Sequence, residues 1–166
     1  MATVSLSSTQ ITNRDASPRS LNNNFISKAQ LFESVGTLES SAADDIGSIY
    51  KLCQVPSNAR ISDVLLTCDS LGTAGAADIG LYQTTENGGA VVDADLFASA
   101  QALTSALDKT SVLHESAVFG KDEVEKRLWE VLGLSADPKI DYDVCATLTT
   151  ATIDAGTVSM HVRYVI

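Results

Sequence analysis

Two histidines, three cysteines and three close carboxylate pairs are the side chains best suited to chemistry in this 166-residue chain. His114 and His161 are the natural proton shuttles, because imidazole titrates near neutral pH. Nucleophilic catalysis would also need a serine seated in a tight turn beside its base. No G-x-S-x-G occurs, and His161 alternates with apolar neighbours, which puts it on the wet face of a strand. Cys53, Cys68 and Cys145 are odd in number and form no CxxC pair, so they read as small buried apolar residues and fit no zinc pattern. The carboxylate pairs are Asp44-Asp45, Asp93 with Asp95, and Asp141 with Asp143. The last falls at i and i+2 on one strand face, a spacing that suits a hard cation. The alternating oxygen ligands and the glycine turn of a calcium loop are missing, so the pairs read as a solvated acidic face. No P-loop and no Rossmann glycine fingerprint is present. Aromatic residues make up 5%, too few for a stacking platform on single strands or sugars. The inventory leads to no catalytic residue, no metal ligand and no cofactor.

The elements that would carry such residues are mostly strands. Period-two patterning marks residues 29–39, 46–55, 60–69 and 76–83, with Ala77, Ile79 and Leu81 on one face of the last. Pro56-Ser57-Asn58, Gly72–Gly75 and Glu86–Gly89 are turns. Val91 to Ala106 reads as a short helical turn around 93–98 followed by a strand, and 110–118 as a further strand. One amphipathic helix is expected near 122–132. There Val124, Leu128, Val131 and Leu132 share a face, Asp122 with Glu125 resembles a capping box, and Gly133 suits the stop. Residues 140–150 and 157–166 alternate most cleanly, and their spacing predicts an antiparallel pair with one wet face. Short strands at regular spacing with one helix predict a mainly β chain: an antiparallel β-sandwich of jelly-roll form.

Residues 1–28 differ in kind. Half of them are Ser, Thr, Asn or Gln, and Arg14, Arg19 and Lys28 outweigh Asp15 for a net charge of +2. The remaining body, residues 29–166, holds 8 cations and 20 anions, a net −12. The division is therefore an extended N-terminal arm, 1–28, and a sandwich domain, 29–166. The arm's few anchors are Val4, Leu6, Ile11, Leu21 and Phe25, with Arg14 and Arg19 as its cations. Those seven are the candidate contacts with a neighbouring subunit, because they are too few to bury a core alone. The overall charge of −10 argues against duplex binding and against a polybasic membrane patch. No run approaches the ~20 apolar residues that span a bilayer. The first eight residues lack a cationic start and an apolar run, so folding in a cytoplasm is expected.

Three stretches carry a resemblance. The final segment, Tyr142–Ile166, resembles the closing hairpin of the capsid decoration (cement) proteins of tailed bacteriophages. Ala59–Leu66 followed by Asp78–Tyr82, and Val92–Ala100, look similar to the same group. The resemblance implies a jelly-roll-like protein without catalytic residues that sits on the outside of the virion. Its partner would be the major capsid protein, its state a homotrimer, and its place of synthesis the host cytoplasm. The rival expectations are a carbohydrate- or receptor-binding β module of a phage fibre or tail and a small hydrolase, for which the sequence offers almost nothing.

Overall fold

The computed structural model describes residues 6–150 and 154–166. Among the described residues, eight strands fall into two four-stranded antiparallel sheets. These are β1 (Leu31–Ser40), β2 (Ile49–Pro56), β3 (Arg60–Cys68), β4 (Ala76–Gln83), β5 (Val91–Ala102), β6 (Leu107–Ser111), β7 (Asp141–Leu148) and β8 (Gly156–Val165). One sheet runs β1-β8-β3-β6 and the other β2-β7-β4-β5. Strands 1 and 8, 2 and 7, 3 and 6, and 4 and 5 are hydrogen-bonded partners, and successive partner pairs alternate between the sheets. That is a single long hairpin rolled up on itself, the jelly roll.

Alternation along each strand supplies the core. Val144, Ala146 and Leu148 point inward from β7, and Val158, Met160 and Val162 from β8. The two strands are nevertheless not the antiparallel pair that their spacing predicts. β7 lies between β2 and β4, and β8 lies between β1 and β3 in the opposite sheet. Both patterns are satisfied because the apolar faces belong to one core shared by the two sheets. The polar face of each strand is the outer face of its own sheet.

Two glycines make close approaches possible. A Cβ on Gly36 of β1 would fall 1.8 Å from the Leu52 carbonyl oxygen, so the seam between β1 and β2 closes only around hydrogen. A Cβ on Gly80 would fall 2.1 Å from the Asp93 carbonyl oxygen. Opposite Gly80, the register between β4 and β5 passes from Ile79↔Ala98 to Leu81↔Asp93, so Ala94–Phe97 form a wide bulge. This bulge replaces the helical turn expected around 93–98. Its carbonyls are taken by a crossing loop: Glu115 and Ser116 N–H groups donate to Phe97 O, and Phe119 N–H to Leu96 O. The strand expected over 110–118 is not formed: β6 precedes it and overlaps it only at Thr110 and Ser111, because beyond Ser111 the chain leaves the sheet to make those bonds.

The short helix expected near 122–132 is the single turn α3, Leu128–Val131. Its first half is not helical, because the backbone here is claimed by the body. Leu128 N–H donates to Ala59 O and Trp129 N–H to Ser57 O, which holds Arg127 extended. The Glu three residues on reaches back to the start, as in a capping box, but it is Glu130 accepting from the Arg127 N–H at 2.7 Å and not Glu125. The arm is likewise not uniformly extended. Thr9–Asp15 forms α1 and Asn24–Ser27 forms α2.

Candidate functional site

The arm's structure follows from its asparagines. Asn13 Nδ2 donates to Asn22 Oδ1 at 2.9 Å, Asn22 Nδ2 to Gln10 O at 3.2 Å, and Ser20 N–H to Asn13 O at 3.1 Å. These bonds clip residues 20–22 back onto α1. The clipped arm meets the body at Glu125, which lines a cavity of about 280 Å³ with Gln10, Asn13, Leu21, Asn22 and Ile26, among others. No described residue of the arm belongs to the buried core. Leu6 is 89% and Leu21 94% exposed, and Ile11 and Arg19 also face water. Arg14 is engaged with Asp15 at 2.8 Å, and this pair is solvent-exposed. The guanidinium's hydrogen bond holds the Asp15 carboxyl below the usual range. Val4 and the Phe25 side chain lie outside the described residues. The structure thus brings Ile11, Arg14, Arg19 and Leu21 into one clipped unit.

Spacing alone does not reveal two concave surfaces of the body. One is a groove of about 530 Å³ whose walls include Val92, Leu96, Val118, Leu132, Leu134 and Tyr142. It is assembled from the β5 bulge, the crossing loop, the end of α3 and the start of β7. Its carboxylates are Asp93 and Glu123. Burial, reinforced by the neighbouring Asp95, pushes the Asp93 carboxyl above the usual range. The second is a polar cleft of about 510 Å³ lined by Gln54, Thr85, Asn87, Lys139, Asp141 and Asp143, among others.

Several of the sequence's chemical candidates have local partners. His114 Nδ1 lies 2.9 Å from Phe119 O, and its ring packs on Phe119. His161 Nδ1 is 3.5 Å from Glu33 Oε1, whose nearer partner is Arg163 Nε at 2.9 Å. Asp141 accepts from Gln54 Nε2 at 2.9 Å and Asp143 from Lys51 Nζ at 3.1 Å. Asp44 accepts from the Tyr50 hydroxyl at 2.6 Å, which draws its carboxyl down, while burial raises the tyrosine. Among the described residues, no group of three His, Cys, Asp or Glu could hold a metal ion. Nor is any described helix long and apolar enough to cross a membrane. All three thiols are buried and unbridged, and burial pushes Cys145 up to about 12.

Two solved structures share the fold. A chain of the cyanophage Pam1 capsid asymmetric unit is 18% identical with a TM-score of 0.51, over 83% of this chain and 86% of that one. A chain of the capsid of Ralstonia phage GP4 is 15% identical with a TM-score of 0.59, over 84% and 86%. Because nearly equal shares align, both matched chains are about as long as this one. No family model and no curated protein matches the chain. At such identities the likeness is one of fold, and a jelly roll by itself hosts many functions. The outer face of β8 is readable as polar from alternation. The ordering of the outer face across the β1-β8-β3-β6 sheet is not: Thr37 and Ser159 hydroxyls pair at 2.8 Å, Thr157 donates to Glu39 at 2.7 Å and Ser111 to Asp63 at 2.6 Å.

Proposed function

We propose that this chain is a structural virion protein that binds the outer surface of a phage capsid and stabilises the shell as a decoration protein. The observation that carries the reading is the eight-strand jelly roll, shared over more than four fifths of both chains with similarly sized chains of two phage capsids. The chemistry of the surface agrees with it. The histidines and paired acids are engaged in local hydrogen bonds, whereas an arm of opposite charge to the body is clipped outside the core. A shell under internal pressure is strengthened by rigid bodies that span subunit junctions. Three copies about a threefold axis multiply weak contacts through effective concentration. In this reading the partner is the major capsid protein, the unit a homotrimer, and the arm anchors Val4, Leu6, Ile11, Arg14, Arg19, Leu21 and Phe25 reach beyond their own body.

The test is co-sedimentation of the full chain with empty shells of the virus that encodes it. Saturation at a fixed ratio of chain to shell subunit is expected, together with a higher melting temperature of the shell. Chains that remain in the supernatant at saturating concentration would refute the reading. One feature favours a second reading, a saccharide-binding module: the polar cleft presents amides, hydroxyls and carboxylates together. Binding to a glycan array that is lost in Asn87→Ala and Asp141→Ala would establish it instead.

A further inference from the structure

We propose that the groove built by the β5 bulge, the crossing loop and the end of α3 receives the arm of a second copy of this chain. Leu21 lies along its apolar walls and Arg19 against Asp93. The proposal rests on the reading of the arm as an inter-subunit segment, and it does not depend on the shell.

The arm is shaped as a tab. Three hydrogen bonds fasten residues 20–22 to α1, yet they leave Leu21 94% exposed. A leucine held in water by a preformed scaffold costs little ordering entropy when a partner covers it. The backbone at Arg19–Leu21 is non-helical, and in extended chain residues two apart share a side at roughly 7 Å. Arg19 and Leu21, both exposed, are therefore presented within two residues of each other.

The groove has the matching pattern. Val118 and Leu134 leave 47% and 41% of their surface in water at its rim, over a floor of buried Leu96 and Tyr142. Its volume of about 530 Å³ is in the range of side-chain and ligand sites. No cation lines it. Glu123 is taken by Lys126 at 3.2 Å, whereas Asp93 is bonded by Asp95 and by no cation among the described residues. A guanidinium arriving at Asp93 would supply the counter-charge that partial burial withholds, with bidentate geometry available. Each chain is net −10 as a whole, so attraction between copies is confined to the arm, whose net +2 is opposite in sign to the body's −12.

The occupant is a second copy because the clip fixes a chain's own Leu21 beside the Glu125 cavity, outside the groove. Another copy's tab has no such constraint, and the exchange can be repeated around a ring, each copy giving one arm and receiving one.

Directed cross-linking of full-length chains, without shells, tests this. Ser20→Cys chain is mixed with Val118→Cys chain under mild oxidation. Both positions are exposed, and the native thiols are buried. A mixed disulfide is expected at about tenfold the yield of Ser20→Cys with Ile46→Cys, a control on the exposed loop between β1 and β2. Adding Arg19→Glu or Leu21→Asp to the first chain, or Asp93→Asn to the second, should cut that yield several-fold. A yield equal to the control, or one indifferent to Arg19→Glu and Leu21→Asp, overturns the proposal. Shell binding without cross-linking would leave the decoration reading standing and remove only this inference. Cross-linking without shell binding would do the reverse.

Discussion

Replacing Gly80 by alanine should unseat the β5 bulge, and the size of the effect follows from three distances. The added Cβ would lie 2.1 Å from Asp93 O and 2.4 Å from both the carbonyl carbon and oxygen of Ala94. All three are backbone atoms, so no side-chain rotation relieves the contact. Gly80 needs no positive φ, so the cost is steric and not conformational. The bulge must shift, and it carries Leu96 and Phe97, which are 1% and 0% exposed. Overpacking costs about 1–3 kcal/mol. Backbone opposition puts this case at the upper end, about 3 kcal/mol. For a chain of this size that lowers the melting temperature by roughly 6–12 °C. Gly89→Ala is the control. Its φ is +66° and its Cβ would meet nothing within 4 Å, so only the left-handed backbone is penalised, by about 1 kcal/mol or roughly 2–4 °C. Thermal unfolding followed by circular dichroism measures both. Because Val92, Asp93 and Leu96 also line the groove, Gly80→Ala should lower the Ser20/Val118 cross-link as well. A Gly80→Ala midpoint no lower than that of Gly89→Ala would refute the reasoning.

Other outcomes follow from the same geometry. Deleting residues 1–28 removes no described member of the buried core, so the melting temperature should move by no more than about 3 °C, while shell binding falls sharply. A large loss of stability would mean that the arm belongs to the fold. The Ser57 hydroxyl is the main reason that the Asp137 carboxyl sits below its usual range. Ser57→Ala should therefore raise the Asp137 pKa toward the ordinary value in a carboxyl NMR titration, and an unmoved titration would contradict this. Asp44, Asp137 and Glu33 are all held low, by Tyr50, Ser57 and Arg163 respectively. Folded values below unfolded ones add stability above about pH 4, and that stability is lost as pH falls through the folded values. Melting temperatures should drop on acidification below pH 4, and a flat profile to pH 2.5 would count against these bonds. The three thiols should resist a colorimetric thiol reagent at pH 8 in the folded chain and all react in guanidinium. Prompt labelling of any one in the native state would contradict the burial.

Much of the sandwich was legible because burial on one face writes a period of two into the residues. Tyr142 to Leu148 and Val158 to Val162 alternate so regularly that both strands could be placed within a residue or two of their limits. The same regularity misled about partners. Alternation records which face is buried, not which neighbour supplies the hydrogen bonds, so β7 and β8 looked like a hairpin although they stand in opposite sheets. The helix near 122–132 failed for a related reason. Its amphipathic spacing is real, yet Ala59 and Ser57 carbonyls claim the backbone N–H groups of Leu128 and Trp129. The candidate site divides in the same way. The arm stood out by composition, whereas the groove is made from four separate stretches between Gln83 and Tyr142, and no local pattern marks it.

By itself, the chain's order of residues determined a mainly β body and a polar N-terminal stretch opposite to it in charge. These are properties of side chains and short-range spacing. Only the tertiary structure decided which strands pair, where the bulge forces Leu96 inward, and that Leu21 is pinned into water while Asp93 lies in a groove without a cation. Those depend on backbone groups finding partners far away in sequence. Hydrogen-bond satisfaction in the folded chain is collective, and the local pattern does not record it.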